Sequence, residues 1–328
     1  MQFSVIIPCH NAERWITATL DSVAAQKLAP FEVIVILDNC TDDSQGVIEK
    51  HKLDCKLLHT THGNAGGARN SGIEVATGQW IALLDADDLW YPHHLKQAAD
   101  LLADSGDRTV AYCANHDFME LDGSRVPLPG TYWQGYSESR TALTPDDYVD
   151  LMAQQFHFGH STVIYRTDRL REVGAFDLSQ VRRHDIDLWL RMIDQHAWVW
   201  AKQPAASYRY RTPGSISRNT VEVAYYALRA LAKNGDRYTQ PKFHRLIESY
   251  ARRALSVSFH DADPEMRRKL RELAWPIVPT SYRLFYKTAA LCPALFKAGV
   301  WLKRHTWNAV RRRLRHRREL QRMEGAGA

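Results

Sequence analysis

The sequence predicts an α/β fold built on a mostly parallel central sheet, followed by an α-helical C-terminal extension. Three observations carry this. Over the first hundred residues, short apolar runs alternate with stretches of helical periodicity. Acids, Asn and His gather just past the ends of those runs. From about Thr220 onward the apolar residues keep helical spacing, interrupted only at Pro276, Pro279 and Pro293.

The elements follow in order. Phe3–Pro8 (FSVIIP) is a β-branched run closed by proline, and so a buried strand. A helix is expected over Ala12–Gln26, where Trp15, Ile16, Leu20 and Val23 share one face. Phe31–Leu37 is the second strand, with Asp38 just past it, and Thr41 or Asp42 can cap a helix reaching about Lys52. Lys56–Thr60 is a third strand, Ala68–Ala76 a helix behind a Gly-rich turn, and Trp80–Leu84 a strand running into Asp85. A helix near Pro92–Ala103 and a strand at Val110–Ala114 come next. Gly123–Ser139, with Tyr132, Trp133 and Tyr136, reads as an irregular loop able to stack on sugar rings or simply to pack. Ser161–Tyr165 and Trp198–Ala201 read as strands, with a helix over Asp185–Gln195 between them. The chain is thus expected to divide into a catalytic domain, residues 1–219, and a helical extension, 220–328, with a basic amphipathic tail.

Composition narrows the function classes. The 328 residues are 45% hydrophobic and 24% charged, which excludes a disordered or fibrous chain. The formal net charge is +6, but Lys303–Arg322 alone carries +8, so a slightly acidic body bears a basic tail. An acidic body without a nucleic-acid module argues against nucleic acid as a partner. Five scattered cysteines form no C-x-x-C pair, which fits a reducing cytoplasm better than a disulfide or zinc framework. The N-terminus has neither the basic start nor the apolar core of a signal peptide, and no 18-residue apolar run suits a membrane span.

In open parallel sheets ligands bind outside the carboxyl ends of the strands, where His10, Asn11, Asp38 and Asp85-Ala86-Asp87-Asp88 fall. Asp85 and Asp87, alternate residues of an extended segment, are expected to share a face. Such a pair suits Mg²⁺ or Mn²⁺, or else forms a solvated turn capping the next helix. Asn64–Gly72 (NAGGARNSG) lets backbone approach a ligand closely, with Arg69 offered to a phosphate or paired to a nearby acid. Arg183–Arg191 places Asp185 at the start of a buried helix, as a helix cap or as a general base facing the rim.

Taken in order, VIIPCHN, ILDNCTDDS, NAGGARNSGIEVATGQWIALLDADDLWYP, and VGAFD with HDIDLWLRM and YRYRTPGSIS make the chain resemble the family 2 glycosyltransferases, inverting enzymes of the GT-A fold, across roughly residues 3–217. The resemblance implies a nucleotide-sugar-binding domain. Pro8 and Asn11 then line the nucleotide pocket, Asp38 bonds the donor's base (typically uracil), and Arg69 lies near the diphosphate. Asp85 contacts the ribose and helps hold the metal, Asp87 binds Mn²⁺ or Mg²⁺ directly, and Asp185 is the catalytic base. Asp187, one step deeper on the helix, reads as structural. Implied partners are a nucleotide-diphosphate sugar, a UDP-sugar by preference, and a glycan or lipid-linked acceptor in polysaccharide or glycolipid synthesis.

Three positions depart from the family pattern. Leu37-Asp38-Asn39-Cys40 carries one acid where two are usual. Arg211 stands near where a histidine often assists the metal or diphosphate, and a guanidinium binds a diphosphate but not a metal. His184 replaces the acid that usually precedes Asp185; it either tunes Asp185, adds a charge near the acceptor, or is a plain surface histidine. His157, His160 and Ser161 are expected on the acceptor side. Rival readings are a nucleotidyltransferase of similar fold, which needs a Gly-rich loop where Cys9-His10-Asn11-Ala12 stands, and an inactive sugar-nucleotide-binding scaffold, which should have lost rim acids that are all present. Residues 280–322 mix aromatics with cations, as in an interfacial helix on an anionic membrane surface or a solvated helix packed on the domain. The first of these places the protein at the cytoplasmic face of the inner or plasma membrane.

Overall fold

The computed structural model describes residues 1–126, 142–154, 158–194, 196–209, 220–261 and 264–291. Arg211, His157, Tyr132, Trp133, Tyr136 and the basic tail after residue 291 lie outside the described residues. The chain forms two compact units, Met1–Tyr250 and Ala251–Ala328.

The first unit opens with β1 (Phe3–Cys9), α1 (Ile16–Ala24), β2 (Glu32–Asp38), α2 (Ser44–Glu49), β3 (Lys56–Thr60), α3 (Ala65–Val75) and β4 (Trp80–Leu83). It continues with β5 (Leu89–Trp90), α4 (His94–Ala103), β6 (Thr109–Met119), β7 (Arg125–Val126), α5 (Pro145–Ala153), β8 (Val163–Arg166), α6 (Thr167–Glu172), α7 (His184–Ile193), β9 (Ala197–Arg209) and α8 (Thr220–Lys233). The helix α9 (Pro241–Asp261) spans the division, and α10 (Pro264–Ala274) and α11 (Thr280–Leu291) belong to the second unit.

The strands form one mixed sheet in the order β3-β2-β1-β4-β8-β6-β9-β5, with β7 on β6. Parallel pairing joins β1 to β2 and β4, β2 to β3, and β6 to β9; β8 runs antiparallel between β4 and β6. Val5 and Ile7 of β1 and Val33 and Val35 of β2 join Ile16, Leu20 and Val23 of α1 in one core. Ile6 and Ile36, on the opposite face by strand alternation, meet α3 at Gly72, where a Cβ would sit 2.7 Å from Ile6 and 2.9 Å from Ile36. Gly72 is therefore a close-packing glycine. Gly67 is another, since its Cβ would lie 2.7 Å from the His62 ring. These two glycines of the Asn64–Gly72 segment admit the protein's own side chains.

Tertiary pairing lengthens elements whose sequence signal was short. The strand expected over Val110–Ala114 runs on to Met119 because β9 pairs with it through Arg209. α8, which composition grouped with the C-terminal extension, lies in the first unit: Lys233 at its end and Asn234 just beyond it reach Asp187 of α7. In the second unit, Leu270, Ala274 and Val278 are buried, and Tyr286 shares a hydrogen bond with Ser258 at 3.1 Å. Among the described residues no helix is long and apolar enough to cross a membrane.

Candidate active site

The carboxyl ends of β1, β2 and β4 are neighbours in the sheet, which brings the loops after them onto one rim. Two of these loops are stitched together. Asn11 and Asn39 both adopt positive φ, +50° and +54°, a conformation asparagine tolerates better than most residues. Asn11 Oδ1 then accepts from the Thr41 amide at 2.7 Å, and His10 Nδ1 lies 2.7 Å from the Asp38 carbonyl. Pro8 pairs with Ile36 one residue short of the strand end. Asp38 is buried at the end of β2, and its Oδ1 accepts from Thr60 Oγ1 (3.0 Å) and the His62 amide (2.6 Å). Both bonds use Oδ1, which leaves Oδ2 available.

After β4 the chain turns. The Asp88 amide donates to the Asp85 carbonyl at 3.0 Å, so Asp85 and Asp87 occupy a tight turn and not the extended segment expected for them. What sets this turn is Asp88, whose importance the spacing of the acids did not reveal. Asp88 is buried; its Oδ2 accepts from Ser161 Oγ at 2.6 Å and its Oδ1 from the Arg209 amide at 2.9 Å. Burial, with Asp87 and Asp85 close by, pushes its carboxyl well above the usual carboxylate range. Ser161 Oγ also accepts from the Asp85 amide at 3.1 Å, so this residue belongs to the acidic turn, where the sequence had placed it with the acceptor. Arg209 donates from Nε to the Asp87 carbonyl at 3.0 Å and lies 4.2 Å over the Trp15 ring. In Tyr-Arg-Tyr-Arg, Arg209 is the arginine seen to hold the turn.

Arg69 projects from α3, whose first turn is capped by Asn64 Oδ1 accepting from Gly67 N at 2.7 Å. It is 3% exposed. Its guanidinium pairs with Asp85 through Nη2 and lies 2.8 Å from His184 Nε2 through Nη1. Phe176 supplies an aromatic wall 5.6 Å from the guanidinium carbon. Phe176 is itself fixed by Asn70, whose amide exchanges two bonds with its backbone, 2.8 and 2.9 Å long. The preceding Ala175 has φ +48°, a strained conformation that Arg191 supports by donating to its carbonyl at 2.6 Å.

The start of α7 faces this cluster. Asp185 stands in its first turn, part-exposed, with Oδ1 accepting from the Ile186 amide at 2.9 Å. Asp187 is fully buried between Arg191 (2.9 Å), Lys233 (3.1 Å) and Asn234 (3.0 Å). That is the structural role expected of it. His184 is no surface charge: burial first, then Arg69 and His160, push it down to about 3. His160 stacks on it at 5.1 Å.

The structure therefore brings Asp85, His184 and Phe176 each against Arg69, sets Asp87 on the same turn as Asp85, and puts Asp38, Asn11 and Pro8 at the adjoining strand ends. Among the described residues no three His, Cys, Asp or Glu side chains form a metal-holding group. Mg²⁺ and Mn²⁺ commonly take one or two carboxylates and complete their shell with water and substrate phosphates. Asp85 and Asp87 thus fit such an ion only in company with a phosphorylated ligand.

The profile of glycosyl transferase family 2 matches residues 4–166. An uncharacterized glycosyltransferase of Nostoc sp., alr2836, is 36% identical over 331 residues, covering 93% of this chain and 97% of its own. The amylovoran biosynthesis glycosyltransferase AmsB of Erwinia amylovora is 30% identical over 222 residues, 65% of this chain and 71% of its own. Among solved structures, S. aureus TarS 1-349 in complex with UDP-GlcNAc superposes with a TM-score of 0.66 at 19% identity, covering 86% of this chain and 83% of TarS 1-349. That likeness is one of fold.

Proposed function

The chain belongs to glycosyl transferase family 2, and from that premise we propose that it is an inverting, metal-dependent enzyme moving a sugar from a UDP-sugar to a hydroxyl of a glycan or lipid-linked acceptor in cell-surface polysaccharide or glycolipid synthesis. The observation that carries this reading is the contact of Arg69 with Asp85 on the turn that also bears Asp87, at the carboxyl end of β4. A buried guanidinium fork beside two rim carboxylates suits a diphosphate and its counter-ion.

Asp38, with one carboxylate oxygen tied down and the other available, is assigned to the donor's base, and Pro8 and Asn11 to the wall of that pocket. Asp85 and Asp87 would hold Mn²⁺ or Mg²⁺, which when bound neutralises the charge of the diphosphate. Arg69 adds a fixed positive charge beside the leaving group, and Arg211 is assigned to the same diphosphate. Asp185 takes the proton from the acceptor hydroxyl as its oxygen attacks the anomeric carbon. The bond to the diphosphate oxygen breaks on the opposite face, so one displacement inverts the configuration. The bond of the Ile186 amide to Asp185 Oδ1 orients that carboxylate.

Residues 280–322 are assigned to an anionic membrane surface, which would hold the enzyme at the cytoplasmic face of the membrane. Supporting this, α11 exposes Leu284 (65%) and Phe285 (50%) beside Arg283 and Lys287. A screen of nucleotide sugars with Mn²⁺, read by thermal shift and donor hydrolysis, tests the reading. A UDP-sugar should raise the melting temperature, and the absence of any responding nucleotide sugar would refute the function.

A further inference from the structure

His184 is the residue that the active-site chemistry above leaves unused, and it touches the group on which that chemistry depends. Arg69 is held on three sides, by Asp85 at Nη2, by His184 Nε2 at Nη1, and by the Phe176 ring. A guanidinium nitrogen carries only donors, so the histidine nitrogen 2.8 Å away must present its lone pair. The His184 ring is therefore neutral, with its proton on Nδ1. Its orientation is set by neighbours: His160 stacks on it at 5.1 Å with planes 20° apart, and Phe176 meets it edge-on at 5.3 Å. Both nitrogens of His160 are buried without a hydrogen-bond partner, so this ring acts as an aromatic plate in the stack.

Charge counting shows what a neutral acceptor achieves. Arg69 with Asp85 sums to zero, and a neutral imidazole keeps it so; an acid at 184 would set a second negative charge against the guanidinium and compete with a diphosphate for it. We propose that His184 is a positioning residue of the donor site, a neutral acceptor that fixes the Arg69 fork against Asp85 without cancelling its charge and so sets affinity for a nucleoside diphosphate. This rests on the reading that Arg69 faces the donor's diphosphate.

The pocket's own influence runs the same way, since burial, Arg69 and His160 disfavour a proton on His184 and outweigh Asp185 and Asp85, which favour it. A charge-driven role near the acceptor is thereby replaced by one at the donor.

The test uses the full chain, UDP with Mn²⁺ as the probe, and two variants. Histidine ¹⁵N spectra of the wild type should show His184 as the Nδ1–H tautomer between pH 6 and 8. His184→Ala should weaken UDP binding about tenfold by calorimetry, since one charge-assisted bond is lost, while His184→Gln, whose side-chain oxygen can accept the same bond, should restore most of it. His184→Glu should bind UDP more weakly than His184→Gln. An imidazolium or an Nε2–H tautomer, or an Ala variant binding UDP as the wild type does, would overturn the inference alone. A wild type that binds no nucleoside diphosphate would take the donor-site reading down with it.

Discussion

Asn70 on α3 exchanges two hydrogen bonds with the backbone of Phe176, 106 residues further along the chain. This clasp ties the Gly-rich segment to the Val-Gly-Ala-Phe segment and places the aromatic wall beside Arg69. Two motifs that look independent in the sequence are one physical unit.

Asn70→Ala should remove both bonds and leave two backbone groups of Phe176 without their partner, costing about 1–3 kcal/mol in denaturant unfolding. Asn70→Asp keeps the acceptor but not the donor and should fall between the two. Equal stability of all three proteins would show that the clasp does not matter.

Asp185 and Asp187 should separate cleanly. Asp185→Asn is expected to fold normally and to lower kcat by about 10²–10⁴-fold, the range for loss of a general base. Asp187→Ala strands the buried cation of Arg191 and takes from Lys233 one of its two carboxylate partners, and should destabilise the protein by about 3–5 kcal/mol. Thermal melts with single-turnover rates distinguish them, and a stable Asp187→Ala with an unstable Asp185→Asn would reverse the assignment.

Asp87→Ala removes one of the two rim carboxylates assigned to the cation. Titration of UDP with and without Mn²⁺ should show a metal-dependent gain in affinity for the wild type and little or none for the variant. If both proteins gain equally, the cation is held elsewhere.

Stability should fall on acidification below about pH 6.5, four depressed histidines outweighing the opposite contribution of Asp88, whose carboxyl burial raises. Burial lowers His94, His160 and His184 to about 3 and His116 to about 4, against about 6.5 for an unfolded chain. Because the folded values are the lower ones, the unfolded state takes up protons first as pH drops. The stabilisation is complete above about 6.5 and is lost down to the folded values, by up to about 1.4 kcal/mol per pH unit for each histidine. Melting temperatures between pH 7.5 and pH 5 check this, and a flat profile would contradict it.

The exposed pair on α11 gives a test of membrane attachment. Replacing Leu284 and Phe285 by Glu should reduce co-sedimentation with anionic vesicles about tenfold or more, since each buried apolar side chain contributes about 1.5–3 kcal/mol. Unchanged sedimentation would rule out α11 as the contact.

The local periodicities of the sequence sufficed for much of this. Alternation of apolar runs with helical spacing located β1 to β4 and their helices, and the residues just past each run, Asn11, Asp38 and Asp85, are the ones the rim carries. Such signals are local: a period of two or of 3.6 residues says where a strand or helix lies and which way its end points. The motifs likewise sufficed to identify the family.

What the tertiary structure alone decided is who meets whom. Sheet order sets β4 beside β8 and, through β6, brings β9 near, so Ser161 and Arg209 close on Asp88 and bend the acidic segment into a turn. The packing of α3 near α7 gives Arg69 its partner in His184, 115 residues away. It also gives a histidine that reads as a surface residue or an extra charge a place, half-buried, against that guanidinium. No sequence period encodes these contacts, because protonation and pairing depend on desolvation and on neighbours that only the assembled sheet brings within 3 Å.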